Sequence, residues 1–261
     1  MPIPFFQINA FTEHFRSGNP AGVCLLEDWP ADTLLQAIAA ENGYSETAFA
    51  MKHADGWQLR WFTPGTEVDL CGHATLATAH ALMAEHGHAD GTVRFLTRSG
   101  PIDVTRSDDG YVLDMPSLPG TVTDCPPALH GYLRKPLTVR KADKYLLVYD
   151  DEAYVRGLQP DFDVFKGVDA VGVILTAPAA DPATDFVSRF FGGPETGVDE
   201  DPVTGSAHCM LTPYWSRVLG KTELLAEQAS ARGGRLLCRD RGERVLLTGR
   251  AVTYLAGELR L

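Results

Sequence analysis

The sequence contains an internal repeat. The segment "RWFTPGTEVDLCGHATLATAH" starts at Arg60, and "RFFGGPETGVDEDPVTGSAHCML" starts at Arg189. Each opens with Arg-aromatic-Phe, passes a Pro/Gly turn that holds an acid, reaches a Gly-x-Ala step and enters a stretch without formal charge. The same order of features in both segments indicates a duplicated structural unit. With a short insertion in the second copy, Cys71, Gly72 and His73 align with Thr204, Gly205 and Ser206.

The stretches that follow the two glycines predict buried helices. No formal charge occurs from His73 to Ala84 or from Ser206 to Ser216. A surface helix would present a charged face, so we expect each helix to lie in the interior of its half of the chain. The helix N-termini offer unpaired N–H groups and partial positive charge, which favour a bound carboxylate. We expect the two termini to meet at an interdomain cleft and to hold such a group there.

Strands fill most of the remaining sequence. A Gly-Asn-Pro-Ala-Gly loop is predicted at 18–22, and a helix is predicted after it, with Asp32 as N-cap and Gly43 beyond its end. The Pro-rich stretch 115–131 reads as a connector, which gives domains 1–117 and 118–261, with final strands that can cross back to the first domain. Strands are predicted at 3–8, 23–26, 45–52, 57–63, 92–98, 102–106, 111–115, 137–141, 145–149, 171–176, 234–239, 244–248 and 252–259.

Composition excludes several classes of function. The formal net charge of −11 argues against a nucleic-acid partner, because phosphate neutralisation requires clustered Lys and Arg. No apolar run is long enough to cross a bilayer, and "MPIPFFQINAF" has no basic region or cleavable apolar stretch. We therefore expect a cytoplasmic protein without a membrane partner. A homodimer is the commonest soluble assembly, although no heptad marks an interface.

Four short motifs carry a resemblance to a known family. They are "GNPAGV" at 18–23, "SETAF" at 45–49, "CGHAT" at 71–75 and "EDPVTGSAH" at 200–208. In this order, across both halves, they resemble the PhzF-like (phenazine biosynthesis) isomerase family. The resemblance implies a diaminopimelate-epimerase-like α+β fold. Such a fold has two pseudo-symmetric domains, each a mostly antiparallel sheet wrapped around a central buried helix.

The resemblance also implies site residues. Glu46 would move the proton, and His73, Asp201 and Ser206 would surround the reacting carbon. The catalytic set is therefore Glu46, His73 and Asp201, and the substrate-binding set is Asn19, Gly72, Gly205 and Ser206.

The residues themselves leave alternatives open. Glu46 shares a strand face with Ala48 and Ala50, so its carboxylate is either solvated or buried for acid–base work. The helix dipole should lower the pKa of His73, whose alternative role is a bond to nearby backbone. Asp201 precedes a proline and Ser206 begins a helix, so turn formation and helix capping are alternatives for these two residues.

Other chemistries lack their motifs. Related amino-acid epimerases use two opposed thiols, whereas here Cys71 is opposite Thr204, a poor base, so Cys71 is interpreted as a small buried residue. His73, His80, His86 and His88 lack an accompanying HExxH motif or carboxylate triad, so no metal is expected. Phosphate-loop and GxGxxG patterns are missing, so no cofactor is expected.

The leading hypothesis is a cofactor-independent isomerase. It would bind a small carboxylate-bearing metabolite between the domains and move a proton and a double bond, with Glu46 as the shuttle. An amino-acid epimerase or racemase is the alternative within enzymes. A non-catalytic metabolite-binding member of the family is the alternative outside them.

Overall fold

The computed structural model describes residues 2–194 and 196–261. The chain forms two compact units, Met1–Asp114 with Thr248–Leu261, and Met115–Leu247. Within the described ranges, no helix combines the length and apolar character that crossing a membrane requires.

The first unit contains most of the early elements. Its strands are β1 (Ile3–Ala10), β2 (Asn19–Leu26), β3 (Glu46–His53), β4 (Gly56–Phe62), β5 (Glu67–Val68), β6 (Thr92–Thr97), β7 (Gly100–Ser107) and β8 (Gly110–Pro116). Its helices are α1 (Asp32–Asn42) and α2 (Gly72–His80), and α2 continues into a π-helical turn, Ala81–Glu85.

The second unit contains β9 (Thr121–Val122), a 3-10 turn (Pro127–Leu129), β10 (Thr138–Lys141), β11 (Tyr145–Val148), α3 (Glu152–Gly157), α4 (Phe162–Lys166), β12 (Gly172–Pro178), β13 (Phe186–Gly192), β14 (Glu200–Asp201), α5 (Gly205–Leu219), β15 (Glu223–Gln228) and β16 (Gly234–Asp240). Strand β17 (Arg244–Gly249) ends in the first unit, and β18 (Ala251–Leu259) belongs to it.

The sheet of the first unit surrounds α2. Strand β1 pairs antiparallel with both β18 and β2, β2 runs parallel to β3, and β3 pairs antiparallel with β4. Strand β4 pairs antiparallel with β5 and parallel with β6, which continues antiparallel to β7 and β8. Helix α2 packs against β1, β2, β3, β7 and β18, and every residue from Gly72 to Ala79 is buried. The uncharged sequence of α2 thus matches its interior position.

The second unit repeats this pairing. Strand β11 runs parallel to β12, β12 pairs antiparallel with β13, and β13 pairs antiparallel with β14 and parallel with β15. Helix α5 packs against β15 and β16, whereas α3 and α4 cover the other side of β12 and β13. Both repeats therefore follow one plan, a mostly antiparallel sheet with a buried helix. The predicted α+β fold class is confirmed.

A proline inside α5 explains one contact of that helix. Pro213 has no N–H, so the carbonyl of Cys209, four residues earlier, lacks its helical partner. The backbone N–H of Leu118 donates to this carbonyl at 2.9 Å. The helix keeps its length because the freed acceptor is satisfied from outside.

Two local predictions were wrong. Residues 19–22 are not a loop but the first half of β2, because only Gly18 takes the left-handed conformation that the turn requires (φ 70°). Asp32 is the first helical residue rather than the N-cap, which is Ala31, and its carboxylate accepts from Arg60 at 2.8 Å. Gly43 ends the helix in a left-handed conformation, as predicted. The sequence-based assignment also omitted β15, α3 and α4.

Candidate active site

Glu46 is the first residue of β3 and faces α2. It pairs with Ala21 in the parallel β2–β3 ladder. Ala48 and Ala50, on the same face, are fully buried, whereas Phe49 and Met51 pack in the cluster beneath α1 on the other face. The side chain of Glu46 is 17% exposed. Strand alternation therefore places a largely buried carboxylate over the small-residue face that the sequence predicted.

His73 lies beside Glu46. It is the second residue of α2, is almost fully buried, and its Nε2 lies 3.4 Å from Glu46 Oε2. Its other ring nitrogen, Nδ1, lies 3.4 Å from Cys71 Sγ. Burial lowers the pKa of His73 to about 3, so the ring is neutral over the physiological pH range. The predicted direction is correct, but burial, rather than the helix dipole, is the main cause.

Asn19 occupies the same end of the sheet. It is the first residue of β2, pairs with Ala10 and is fully buried. Because strand residues two apart share a face, Asn19 lies on the face of Ala21, the partner of Glu46. The first unit therefore places Asn19, Glu46 and His73 on the α2 side of the sheet.

The cluster of Glu46, Cys71 and His73 has the side chains of a metal site but a different geometry. Their ligand atoms all lie within 4.8 Å of one another. The thiol, however, contacts Nδ1 and the carboxylate contacts Nε2, so the two groups lie at opposite edges of the imidazole ring. One ion binds a histidine through a single ring nitrogen. The imidazole ring therefore lies between the thiol and the carboxylate.

The second unit holds a polar network before α5. Asp201 ends β14, and its Oδ2 accepts from the hydroxyl of Thr204 at 2.5 Å. Gln228, fully buried at the end of β15, donates to the Asp201 carbonyl at 2.7 Å. The same amide accepts from the Thr204 N–H at 2.7 Å and donates to the Thr204 hydroxyl at 3.1 Å. Gln228 was missed because the strand that carries it was not predicted.

Ser206 and Gly205 lie at the start of α5. Thr204 is the N-cap by position and makes no side-chain cap bond, while Gly205 and Ser206 are the first two helical residues. Ser206 is therefore not the helix cap, because it lies inside the first turn. Gly72 begins α2 in the same way, after Cys71. Both helices leave first-turn N–H groups without an intrahelical partner.

The two candidate acids, Glu46 and Asp201, do not occupy equivalent places in the repeats. Phe62, two residues after Arg60, pairs with Thr47, the second residue of β3. Phe191, two residues after Arg189, pairs in the same way with Val173, the second residue of β12. This register places Gly172, the first residue of β12, where Glu46 stands in β3. A Cβ at Gly172 would overlap the Phe190 ring and the Phe191 carbonyl, so a larger residue does not fit.

The place of Asp201 is apolar in the first repeat. Asp201 is the second residue of β14 and pairs with Phe190. Val68 is the second residue of β5 and pairs with Trp61. Each unit thus supplies one acid, and the duplication did not produce a symmetric pair.

An arginine supports each short strand, half-buried at Arg60 and buried at Arg189. Arg60 donates through Nε and Nη2 to Glu67 of β5 at 2.7 and 2.8 Å. Arg189 donates in the same way to Glu200 of β14 at 2.7 and 2.9 Å. These forked pairs hold the strands that lead into the two helix N-termini. Their signal was present in the repeat, as the shared arginine and the acid of the turn.

His80 is not part of the candidate site. Its Nδ1 lies 3.0 Å from the Tyr111 hydroxyl, and its Nε2 lies 2.9 Å from the Thr253 hydroxyl. Both ring nitrogens therefore serve to attach α2 to the surrounding sheet.

Comparisons with known proteins identify one family over the whole chain. The family model "PhzC-PhzF: Phenazine biosynthesis-like protein" matches residues 8–118 and 129–257. An uncharacterized isomerase of Pseudomonas aeruginosa is 49% identical over 262 residues, which cover 100% of both chains. A crystal structure of a PhzF-family phenazine biosynthesis protein from Enterococcus faecalis superposes with a TM-score of 0.94 at 42% identity, covering 100% of both chains.

A more distant structure shares the fold alone. A hydroxyproline epimerase from Agrobacterium vitis superposes with a TM-score of 0.62 at 13% identity, over 99% of this chain and 91% of that one. The family match spans both repeats and contains the motifs around Glu46, His73 and Asp201. This chain belongs to the phenazine biosynthesis-like (PhzC-PhzF) protein family.

Proposed function

We propose that the protein is a cofactor-independent isomerase. It moves a proton, and with it a double bond, in a small carboxylate-bearing metabolite, and Glu46 is the proton shuttle. The observation that carries this proposal is the largely buried Glu46 carboxylate against the neutral His73 ring at the start of α2. The relative from Pseudomonas aeruginosa, which is 49% identical, is named as an isomerase.

Glu46 would take a proton from carbon and return it to another carbon of the same allylic system. The C–H bond that breaks supplies the proton, its electron pair becomes the new double bond, and the old double bond accepts the returned proton. The substrate undergoes no net oxidation or reduction, so the reaction requires no external electron acceptor.

His73 is suited to both protonation states of Glu46. When Glu46 is ionised, a neutral ring with its proton on Nε2 faces it as a donor, and Nδ1 faces the Cys71 thiol as an acceptor. When Glu46 holds the proton on its other oxygen, Oε2 still faces Nε2 as an acceptor. The same tautomer therefore serves both states, and the ring stays neutral.

The helix N-termini supply electrostatic stabilisation of negative charge on the substrate. N–H groups and the helix dipole at Gly72 and Gly205 favour a carboxylate and the enolate-like charge that develops when the proton leaves carbon. Asp201 would bond a substrate amine or relay a proton, and Ser206 and Asn19 would hold polar groups of the substrate. This set combines a base with stabilisation of the resulting charge.

The experiment is a solvent-exchange screen. The purified protein is incubated in heavy water with a panel of small unsaturated carboxylic acids and amino acids, and NMR and mass spectrometry detect deuterium at carbon. We expect incorporation together with a shifted double bond, and at least about a hundredfold loss of rate in Glu46→Gln, because general base catalysis contributes this much.

Glu41→Gln is the matched control, since Glu41 is exposed on α1 and its loss removes an equal charge. The control should exchange at the parental rate. Exchange that is undiminished in Glu46→Gln contradicts the proposed shuttle. Unchanged connectivity with inverted stereochemistry would indicate an epimerase, and carboxylate binding without exchange would indicate a non-catalytic member of the family.

A further inference from the structure

The side-chain amide of Gln228 makes three hydrogen bonds, all to the turn before α5. The side chain is fully buried, and β15 places it beside Ser188 of β13. Its Oε1 accepts from the Thr204 N–H, and its Nε2 donates both to the Asp201 carbonyl and to the Thr204 hydroxyl. Gln228 therefore fixes both ends of the turn from Asp201 to Thr204.

This amide also decides where the proton of the Thr204 hydroxyl points. A hydroxyl has one proton to donate, and Gln228 already supplies a donor to the oxygen. The remaining acceptor in contact is Asp201 Oδ2, at 2.5 Å. The hydroxyl is consequently oriented towards the carboxylate, where it stabilises the ionised form.

The first repeat builds the same helix start without this network. Val68 and Cys71 occupy the places of Asp201 and Thr204. Continuing the parallel β4–β6 register puts Thr97 in the place of Gln228, and its hydroxyl donates to Gly100 instead. Both N-caps are nevertheless extended, with φ −142° at Cys71 and −110° at Thr204. The network is thus not needed to start the helix, and it occurs in the repeat that carries Asp201.

We propose that Gln228 and Thr204 are positioning residues for Asp201. Gln228 sets the turn and the direction of the Thr204 hydroxyl, and the hydroxyl fixes the rotation and the charge of the Asp201 carboxylate. The role of Asp201 in turnover rests on the isomerase function proposed above, whereas the hydrogen-bond chain can be tested without a substrate.

The first test is an NMR titration of the Asp201 carboxyl carbon in protein labelled with carbon-13 aspartate. The signal is assigned by its loss in Asp201→Asn. In Thr204→Val, which keeps the shape but removes the hydroxyl, the titration midpoint should rise by on the order of one pH unit. Thr204→Ser, which keeps the hydroxyl, should restore the parental midpoint. An unchanged midpoint in Thr204→Val overturns the proposal.

The second test is a double-variant cycle. Gln228→Met should also raise the midpoint, and should add little in the Thr204→Val background, because both changes act through one hydroxyl. Fully additive shifts overturn the proposal. Ser230→Ala is the control, since Ser230 donates to the Pro202 carbonyl of the same turn without touching the carboxylate. It should leave the midpoint unchanged. If Gln228→Met does not fold, the Thr204→Val titration alone supports or overturns the proposal.

With a substrate from the exchange screen, steady-state kinetics provide a third test of the positioning role. Thr204→Val should lower kcat at least about tenfold with little change in KM, since misplacement of a reacting group mainly affects the transition state. If the isomerase proposal fails, the titration still tests the hydrogen-bond chain to Asp201. Conversely, an unchanged titration with an intact Glu46 effect would reject the positioning role alone.

Discussion

At the residue scale, buried histidines make the fold sensitive to acid. Burial lowers the pKa of His73 to about 3 and that of His208 to about 4. In the unfolded chain these groups titrate near 6.5. As the pH falls below 6.5, the unfolded chain therefore binds protons that the folded chain does not, and the free energy of unfolding decreases.

We predict that replacing His208 makes the stability less dependent on pH. Each buried histidine should contribute a slope of about 1.4 kcal/mol per pH unit between its two pKa values, with stability lost towards acid. His208→Gln should remove one such contribution from pH 6.5 down to about pH 4. Urea unfolding at a series of pH values measures the slope, and equal slopes in parent and variant would contradict the assignment.

The sequence was informative for residues whose neighbours are local. The orientation of Glu46 followed from strand alternation, since the residues that share its face are alanines. The Gly72–His73 helix start followed from the uncharged stretch after it. Gln228 could not be found in this way, because its partner Thr204 is 24 residues away and their contact depends on the parallel pairing of β13 and β15.

At the element scale, Arg189 connects three segments of the second unit. Besides its forked pair with Glu200, its Nη1 donates to the carbonyls of Val155, Arg156 and Leu158 at 3.3, 3.4 and 2.6 Å. The C-terminal end of α3 is thereby attached to β13 and β14. The guanidinium of Arg60 is shared with two carboxylates instead, those of Glu67 and Asp32.

We predict that Arg189→Met costs about 3–5 kcal/mol of unfolding free energy. The change leaves the Glu200 carboxylate, which is 15% exposed, without its cation and three carbonyls without a donor. Arg60→Met should cost less, because Glu67 keeps a second cation in Arg98 at 2.7 Å, and Asp32 is 68% exposed and can be solvated. Urea unfolding of both variants provides the comparison, and an equal or larger loss at Arg60 would refute this account.

Short elements were the hardest to predict. Helices α3 and α4 contain six and five residues, too few for a helical period to stand out. Their signal was the capping residue: the carboxylates of Asp151 and Asp161 accept from Tyr154 and Asp163 N–H groups at 3.0 and 3.2 Å. Strand β15, "ELLAEQ", alternates buried positions with exposed or half-buried ones but is flanked by no turn signal as strong as a Gly-Pro pair.

At the scale of the whole molecule, the first unit is made from both ends of the chain. Strand β18 pairs along the whole length of β1, and Thr253 on it bonds His80 of α2. The second unit is continuous, Met115–Leu247. The repeat in the sequence identified two similar units, and the strand pairing shows how the C-terminal residues complete the first.

We predict that truncation after Leu247 unfolds the first unit, because β1 loses its outer partner and α2 loses part of its cover. Hydrogen exchange should show lost protection in β1 and β2, with protection retained in β12 and β13. Removal of Arg260 and Leu261 alone, which lie beyond β18, is the control and should change little. Retained protection of β1 in the longer truncation would contradict the prediction.

The placement of β18 also bears on how the protein is made. Residues Met115–Leu247 emerge from the ribosome before the last strand, so the unit with Asp201 can fold while the polypeptide is still growing. The portion with Glu46 is synthesised first yet must wait for the final residues to close its hydrogen-bond ladder. A translation product that ends before β18 would therefore contain Asp201 in a folded unit and Glu46 in an incomplete one.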